Sequence, residues 1–171
     1  MEKGAYHTGQ SDMEKLNALI YRLETIERTL PQWVQDVLTA NRGEILYLQS
    51  EQLMDGKASD GNDIRPYYSE DSYFQTRAQM EWYRNWKQQI TPNPNRNPDA
   101  PNLYIDGTFH SELAVMFDTD GFTVDGGTAY AKSIVNKYGI GSFGLTDDNL
   151  NRIYENVVAP YLMRMINETL I

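Results

Sequence analysis

The chain has no cysteine and only two histidines, His7 and His110, in 171 residues. The first absence excludes disulfide frameworks, thiolate zinc sites and cysteine nucleophiles; the second leaves histidine metal sites and catalytic triads almost no material. Bases are also scarce: 15 Lys and Arg stand against 24 Asp and Glu, a net charge of −9. Proteins that grip nucleic-acid phosphate gain most of their affinity from Lys and Arg displacing counterions, so no specific nucleic-acid binding is expected. No stretch approaches the roughly 18 apolar residues of a membrane span. The opening MEKGAYHTGQSD lacks the apolar region of a secretion signal. Synthesis and assembly in cytoplasm, with no membrane contact, is the expectation.

What is present suits one folded domain: 40% hydrophobic and 23% charged residues, in a length that gives a single core. Residues 1–11 are small and polar and read as a flexible N-terminal arm, leaving 12–171 as the domain. From Asp12, a plausible N-cap, Met13, Leu16, Leu19, Ile20, Leu23, Ile26 and Leu30 recur at steps of three and four, predicting a helix over 12–30. Pro31 should end or kink it and open a second helix over 31–55, closed by Gly56. The Gly- and Asp-rich segment from Gly56 to Pro66 reads as a loop, and 69–89 as a third helix. Four prolines in TPNPNRNPDAP predict a stiff surface linker over 91–101.

The period then changes from helical to two. Phe109, Ser111, Leu113, Val115 and Phe117 fall on one face of a strand, and a turn at Asp118–Gly121 leads to Phe122 and Val124, predicting a hairpin over 109–126. Ala129–Tyr138 reads as short helix or irregular chain. Thr146 caps a C-terminal helix over 146–170, whose apolar face runs from Leu150 and Ile153 to Ile166 and Leu170, with Pro160 expected to bend it. The fold class is therefore α+β: a helix-rich domain with a β-hairpin flanked by helices. The long apolar face of the last helix needs cover, from the first helices or from another subunit.

Catalytic chemistry finds little support. His110, Ser111 and Glu112 are adjacent, and a strand sends neighbours to opposite faces, so they form no triad; His110 reads as a rim residue. The loop DGKASDGND fails the EF-hand spacing from either Asp55 or Asp60, so no metal site is assigned. GGTAY and YGIGSFG lack the Walker lysine and the dinucleotide fingerprint and read as hinges. Asp118 with Asp120, and Asp147 with Asp148, suit turns and helix starts better than acid–base work. No catalytic, cofactor-binding or metal-binding residue is expected.

The positive signal is aromatic, with 12 tyrosines and 3 tryptophans. Tyrosine joins large contact area to a polar tip, a combination enriched at protein interfaces. Tyr67, Tyr68, Tyr73, Trp82, Tyr83 and Trp86 cluster where no inward stripe is evident, and with Tyr138 and Phe143 they are the expected interface residues. Core filling is the competing use of the same rings.

Three passages, LQSEQLMDGKASDGNDIRPYYS (Leu48–Ser69), NLYIDGTFHSELAV (Asn102–Val115) and YAKSIVNKYGIGSFGLTDDNL (Tyr130–Leu150), together resemble small virion proteins of tailed bacteriophages. The central one is similar to tail-completion or neck proteins, in which a glycine turn, here Asp106–Gly107–Thr108, launches a hairpin. The resemblance implies a virion ring subunit of the neck or tail, with the crAss-like phages as the expected group. Its partners would be six or twelve copies of itself and the adjacent portal, neck or tail proteins. The longer aromatic segment and the proline-rich linker depart from that pattern.

Charge fits such a role. From Pro92 to Thr128 six acids face Arg96 alone, a local charge of −5. A hairpin bearing Glu112, Asp118, Asp120 and Asp125 toward a DNA-conducting lumen would repel phosphate over roughly 8 Å. The alternatives are a protein-binding adaptor module of a cellular complex and a small hydrolase working through carboxylates such as Asp106 and Glu112.

Overall fold

A computed structural model describes residues 6–118, 121–127 and 131–171, and only the backbone of residues 6–10 and 140. Helix α1 runs from Tyr6 to Ala40 without a break at Pro31. Residues 6–11 are thus helical, which corrects the expected arm; residues 1–5 lie outside the described part. Proline removes one hydrogen bond, to the carbonyl of Glu27, and both residues are exposed, so water can serve that carbonyl. The apolar stripe continues in phase through the proline: Ile26 and Leu30 before it, Trp33, Val34 and Val37 after it, all at least half-buried. Packing along that stripe outweighs one missing bond.

The break comes instead at Asn41. Its Nδ2 donates to the Val37 carbonyl (2.7 Å), the local competition with backbone bonding that makes Asn a helix stop. Helix α2 follows over Arg42–Met54 and places Ile45, Leu48 and Leu53 in the centre of the core. The core gathers these with Ile64, Phe109, Phe143, Leu145 and Ile153 and with the inner face of the hairpin.

The hairpin is strand β1 (Leu113–Asp118) antiparallel to β2 (Gly121–Gly126), with Val115 opposite Val124 and Phe117 opposite Phe122. Leu113, Val115 and Val124 are buried while Ala114, Met116, Thr123 and Asp125 face outward, the alternation expected of a sheet with one wet side. It starts later than expected. Asp106 accepts the Thr108 amide (3.0 Å), Gly107 takes φ +88°, and Thr108–Ser111 form a single helical turn, α4. Phe109 is buried from that turn, so its alternation with Leu113 was accidental. Gly127, just after β2, donates to the Glu112 carbonyl at 2.8 Å, too close for any side chain.

Helix α3 spans Arg77–Ile90, shorter than expected, since 68–70 form a 3-10 turn and 71–76 are not helical. Short helix α5 covers Ala131–Tyr138; residues 128–130 are outside the described part. The proline-rich segment is not a surface linker. Thr91, Arg96 and Ala100 are buried in it, Arg96 Nη1 donates to the Ala100 carbonyl (2.7 Å), and Asn102, just after it, donates Nδ2 to Thr91 Oγ1 (3.0 Å). Its asparagines supply the bonds that its prolines lack.

The C-terminal helix begins as α6 (Asp147–Ile153), capped by Thr146, widens to a π-helical turn over Tyr154–Val158, and continues as α7 (Ala159–Leu170). Pro160 lies in the first turn of α7, and the Ala159 amide reaches back five residues to Tyr154. The wider turn absorbs the missing proline N–H that was expected to bend the helix. Helix α7 packs antiparallel on α1, and Arg22 Nη1 caps the Leu170 carbonyl at its end. The architecture is a helix-rich α+β fold with one small antiparallel sheet. No described helix is long and apolar enough to cross a membrane.

Candidate functional site

Helix α3 owes its start to Thr76 and Gln79. The Thr76 hydroxyl accepts the Gln79 amide (3.3 Å) while the Gln79 side chain accepts the Thr76 amide (3.3 Å), a reciprocal cap. From that fixed start Trp82, Tyr83 and Trp86 share one side of the helix. Tyr73 and Phe74 join them from the preceding turn. The rings form a chain: Tyr73–Phe74 at 5.3 Å, Phe74–Tyr83 at 5.3 Å, Tyr83–Trp86 at 5.4 Å, and Trp82 parallel to Trp86 at 6.2 Å. They border an open groove of about 860 Å³ whose floor includes Ala78.

Beneath the groove Tyr68 stands edge-on to Tyr83 (5.2 Å). Asp71 holds Lys137 of α5 at 2.5 Å, and the same ammonium lies 5.9 Å from the Tyr73 ring. This ion pair ties α5 to the aromatic wall. Burial raises the phenol pKa of Tyr83 and Tyr138 above the usual value, so both rings stay neutral in ordinary buffers.

The expected interface residues therefore divide. Tyr73 and Trp82 are 75% and 67% exposed, and Tyr83 and Trp86 are half-buried beside them. Tyr68 and Phe143 are buried by the chain itself and belong to the core, which corrects their assignment to a surface. Tyr67 is occupied locally, with Arg65 4.1 Å over its ring and its hydroxyl donating to Asp63 (3.1 Å). Tyr138 is half-buried against the core. Phe74, which completes the wall, was missed; its position two residues before the Thr76 cap was the available signal.

Of the hairpin acids, Asp118 and Asp125 share the outward face and are exposed, Glu112 is exposed at the root of β1, and Asp120 lies outside the described residues. Hydrogen bonding to the Thr108 amide keeps the Asp106 carboxyl below its usual range, so it serves as a turn cap. Asp63 accepts from Lys57 (2.7 Å), Asn97 (2.9 Å) and Tyr67, which hold its pKa down, the Lys57 bond first. Among the described residues no three His, Cys, Asp or Glu side chains cluster as metal ligands.

Two arrangements have latent chemistry. His110 Nε2 faces the Asn102 carbonyl (3.0 Å), which keeps the proton on that nitrogen, and Nδ1 accepts from Ser50 Oγ (2.8 Å). This is the tautomer a general base needs. Neither residue lines the aromatic groove, and burial holds the imidazole pKa below its ordinary value. The pair joins α2 to α4. In the second, Lys87 reaches from α3 to the Tyr104 carbonyl beside a cavity of about 530 Å³ walled by Tyr83, Phe109 and Tyr138. Burial, and then the charge of Arg96, pushes its pKa down to about 8. Asp106 lines the same cavity and is engaged as the cap of the Thr108 turn.

A second apolar feature of the surface lies elsewhere. Met13, Leu16, Leu19, Ile20 and Leu23 of α1 are 44–58% exposed, although they continue the stripe that α7 covers further along. At about 1.5 Å per residue, the segment of α1 from Tyr6 to Arg22, the residue that caps the end of α7, is about 24 Å long. Two faces thus stand out, an aliphatic ridge on α1 and an aromatic groove on α3.

No family model, curated protein or solved structure matches this chain.

Proposed function

We propose that the chain is a structural, non-enzymatic subunit of a neck or tail ring in a tailed bacteriophage, joining portal or head to tail around the DNA channel. The observation that carries this reading is the ridge of α1. Five aliphatic side chains in phase with a packed stripe are left bare, at roughly 1 kcal/mol of unused burial each, and a helix pair two elements thick cannot cover them itself. Copies of the chain supply the cover. Asp106, a carboxylate of the hydrolase reading, is engaged in capping the turn at Thr108, which favours the scaffold.

The hairpin fits the same role. Its outward face carries Asp118 and Asp125, with Glu112 at its root, and an acidic wall repels a passing duplex instead of holding it. Electron microscopy of the purified chain at rising concentration, and of particles containing it, tests the reading. Closed rings of six or twelve copies are expected, with the hairpin acids at the inner wall. Acids far from the lumen would remove the wall claim alone. A chain that stays single, occurs in no particle and turns over a small substrate would overturn the proposal.

A further inference from the structure

We propose that the subunits join head to tail, the aliphatic ridge of α1 in one copy seating in the aromatic groove of α3 in the next. This rests on the ring reading and names its contact.

The ridge and the groove are unlike surfaces on one chain. The ridge is convex, formed by Leu16, Leu19, Ile20 and Leu23 on a helix that projects past its partner. The groove is concave, about 860 Å³, with Trp82 and Tyr73 standing open over the small side chain of Ala78. They sit on separate parts of the fold: α1 packs on α7 and β1, α3 on the 3-10 turn at Tyr68–Glu70. A twofold pairing of ridge with ridge would leave both grooves bare. A ridge-to-groove contact covers both faces, and where the ridge and the groove of one copy engage two different neighbours, repetition closes a ring or extends a filament.

Composition and charge agree. Aliphatic side chains against aromatic rings bury large area with few polar groups to desolvate. At its surface helix α3 carries Arg77 and Arg84 against Glu81, in a chain of net charge −9, while Lys87 is buried on the Tyr104 carbonyl. Residues 11–28 of α1 carry Asp12, Glu14, Glu24 and Glu27 against Lys15, Arg22 and Arg28. The basic helix thus meets the slightly acidic one.

Complementation tests this. A ridge variant (Leu16→Asp with Leu23→Asp) and a groove variant (Ala78→Glu with Trp82→Ala) change exposed positions only, and far-UV circular dichroism checks that both keep their helix content. Each variant should associate with itself on the order of a hundredfold more weakly than the parent chain in analytical ultracentrifugation. Mixed together, they should form a heterodimer that grows no further, since one intact ridge and one intact groove remain. The chain has no cysteine, so Leu19→Cys in one copy and Ala78→Cys in another should cross-link on oxidation while neither does so alone. A groove variant that self-associates like the parent, with no gain on mixing, overturns the ridge-to-groove contact and leaves the ring reading standing. A parent chain that stays monomeric at every concentration, with no cross-link, overturns both.

Discussion

Gln52 joins α2 to the start of the C-terminal helix, and replacing it should cost far more than replacing its neighbour Gln49. The Gln52 amide donates to the Gly144 carbonyl (2.9 Å), and its oxygen accepts from the Thr146 amide (2.8 Å) and from Asn149 Nδ2 (3.2 Å). Gln49 is more deeply buried but, among the described residues, accepts from the Gly144 amide alone (2.8 Å) and finds no partner for its own Nε2. Methionine keeps the length of either side chain. Gln52→Met removes three bonds at about 1 kcal/mol net each and leaves two backbone groups unpaired, a loss of about 2–4 kcal/mol. Gln49→Met removes one bond and leaves the Gly144 amide without its acceptor, but it also removes an unsatisfied amide, so the balance stays within about 1 kcal/mol. Urea unfolding followed by tryptophan fluorescence measures both. For this size of chain the Gln52 variant should melt roughly 4–16 °C lower. A Gln49 variant that loses as much as the Gln52 variant, at an unchanged denaturant slope, would refute the assignment of the seam to Gln52.

Glycines give a second contrast. A Cβ at Gly127 would sit 2.2 Å from the Glu112 carbonyl oxygen, so Gly127→Ala should destabilise by about 2 kcal/mol or more, whereas Gly43, with nothing within 4 Å, should gain up to about 1 kcal/mol from alanine; thermal melts decide the sign of each. Alkaline stability should peak and then fall. Lys87 has a folded pKa of about 8 against 10.5 free, so the unfolded chain binds the extra proton between those values and stability climbs across them. The phenols of Tyr68, Tyr83 and Tyr138, raised above 10.0 by burial, contribute stability that is whole below pH 10 and lost above it. Lys87→Met should abolish the climb and keep the fall, as read by denaturation midpoints across pH 7–11. Arg22→Ala should unpin the end of α7, lowering helical circular dichroism modestly and raising amide exchange in the last turn, with the core midpoint little changed.

Periodic features were legible because period is what packing reads. The stripe of the C-terminal helix, the inward alternation of Leu113, Val115 and Val124, and the N-terminal stripe all stand in the sequence as they do in the fold. Pro31 was overread: a single-residue rule met a stripe that continued in phase through it. Asn41, an ordinary polar residue, was the real break, through a side-chain bond that composition does not announce. The late start of α3 was written in Thr76 and Gln79 but hidden by the aromatic residues before them. Pairings far apart in sequence, Ser50 with His110 or Gln52 with Gly144, left no local trace. The groove residues Tyr73, Trp82, Tyr83 and Trp86 were legible as a cluster; nothing in composition separates them from Tyr68 and Phe143, which the core takes.

The pinning of Leu170 by Arg22 ties together positions 148 residues apart. At about 5–20 residues per second, a nascent α1 waits on the order of ten seconds for the helix that partly covers it to be made. Throughout that interval the part of its stripe that α7 later covers is bare, on a ribosome that stands among others making the same chain. Production of this protein should accordingly be sensitive to elongation rate and to chaperones that hold exposed apolar helices, and slowed translation should raise the insoluble fraction sooner than a loss of native stability would.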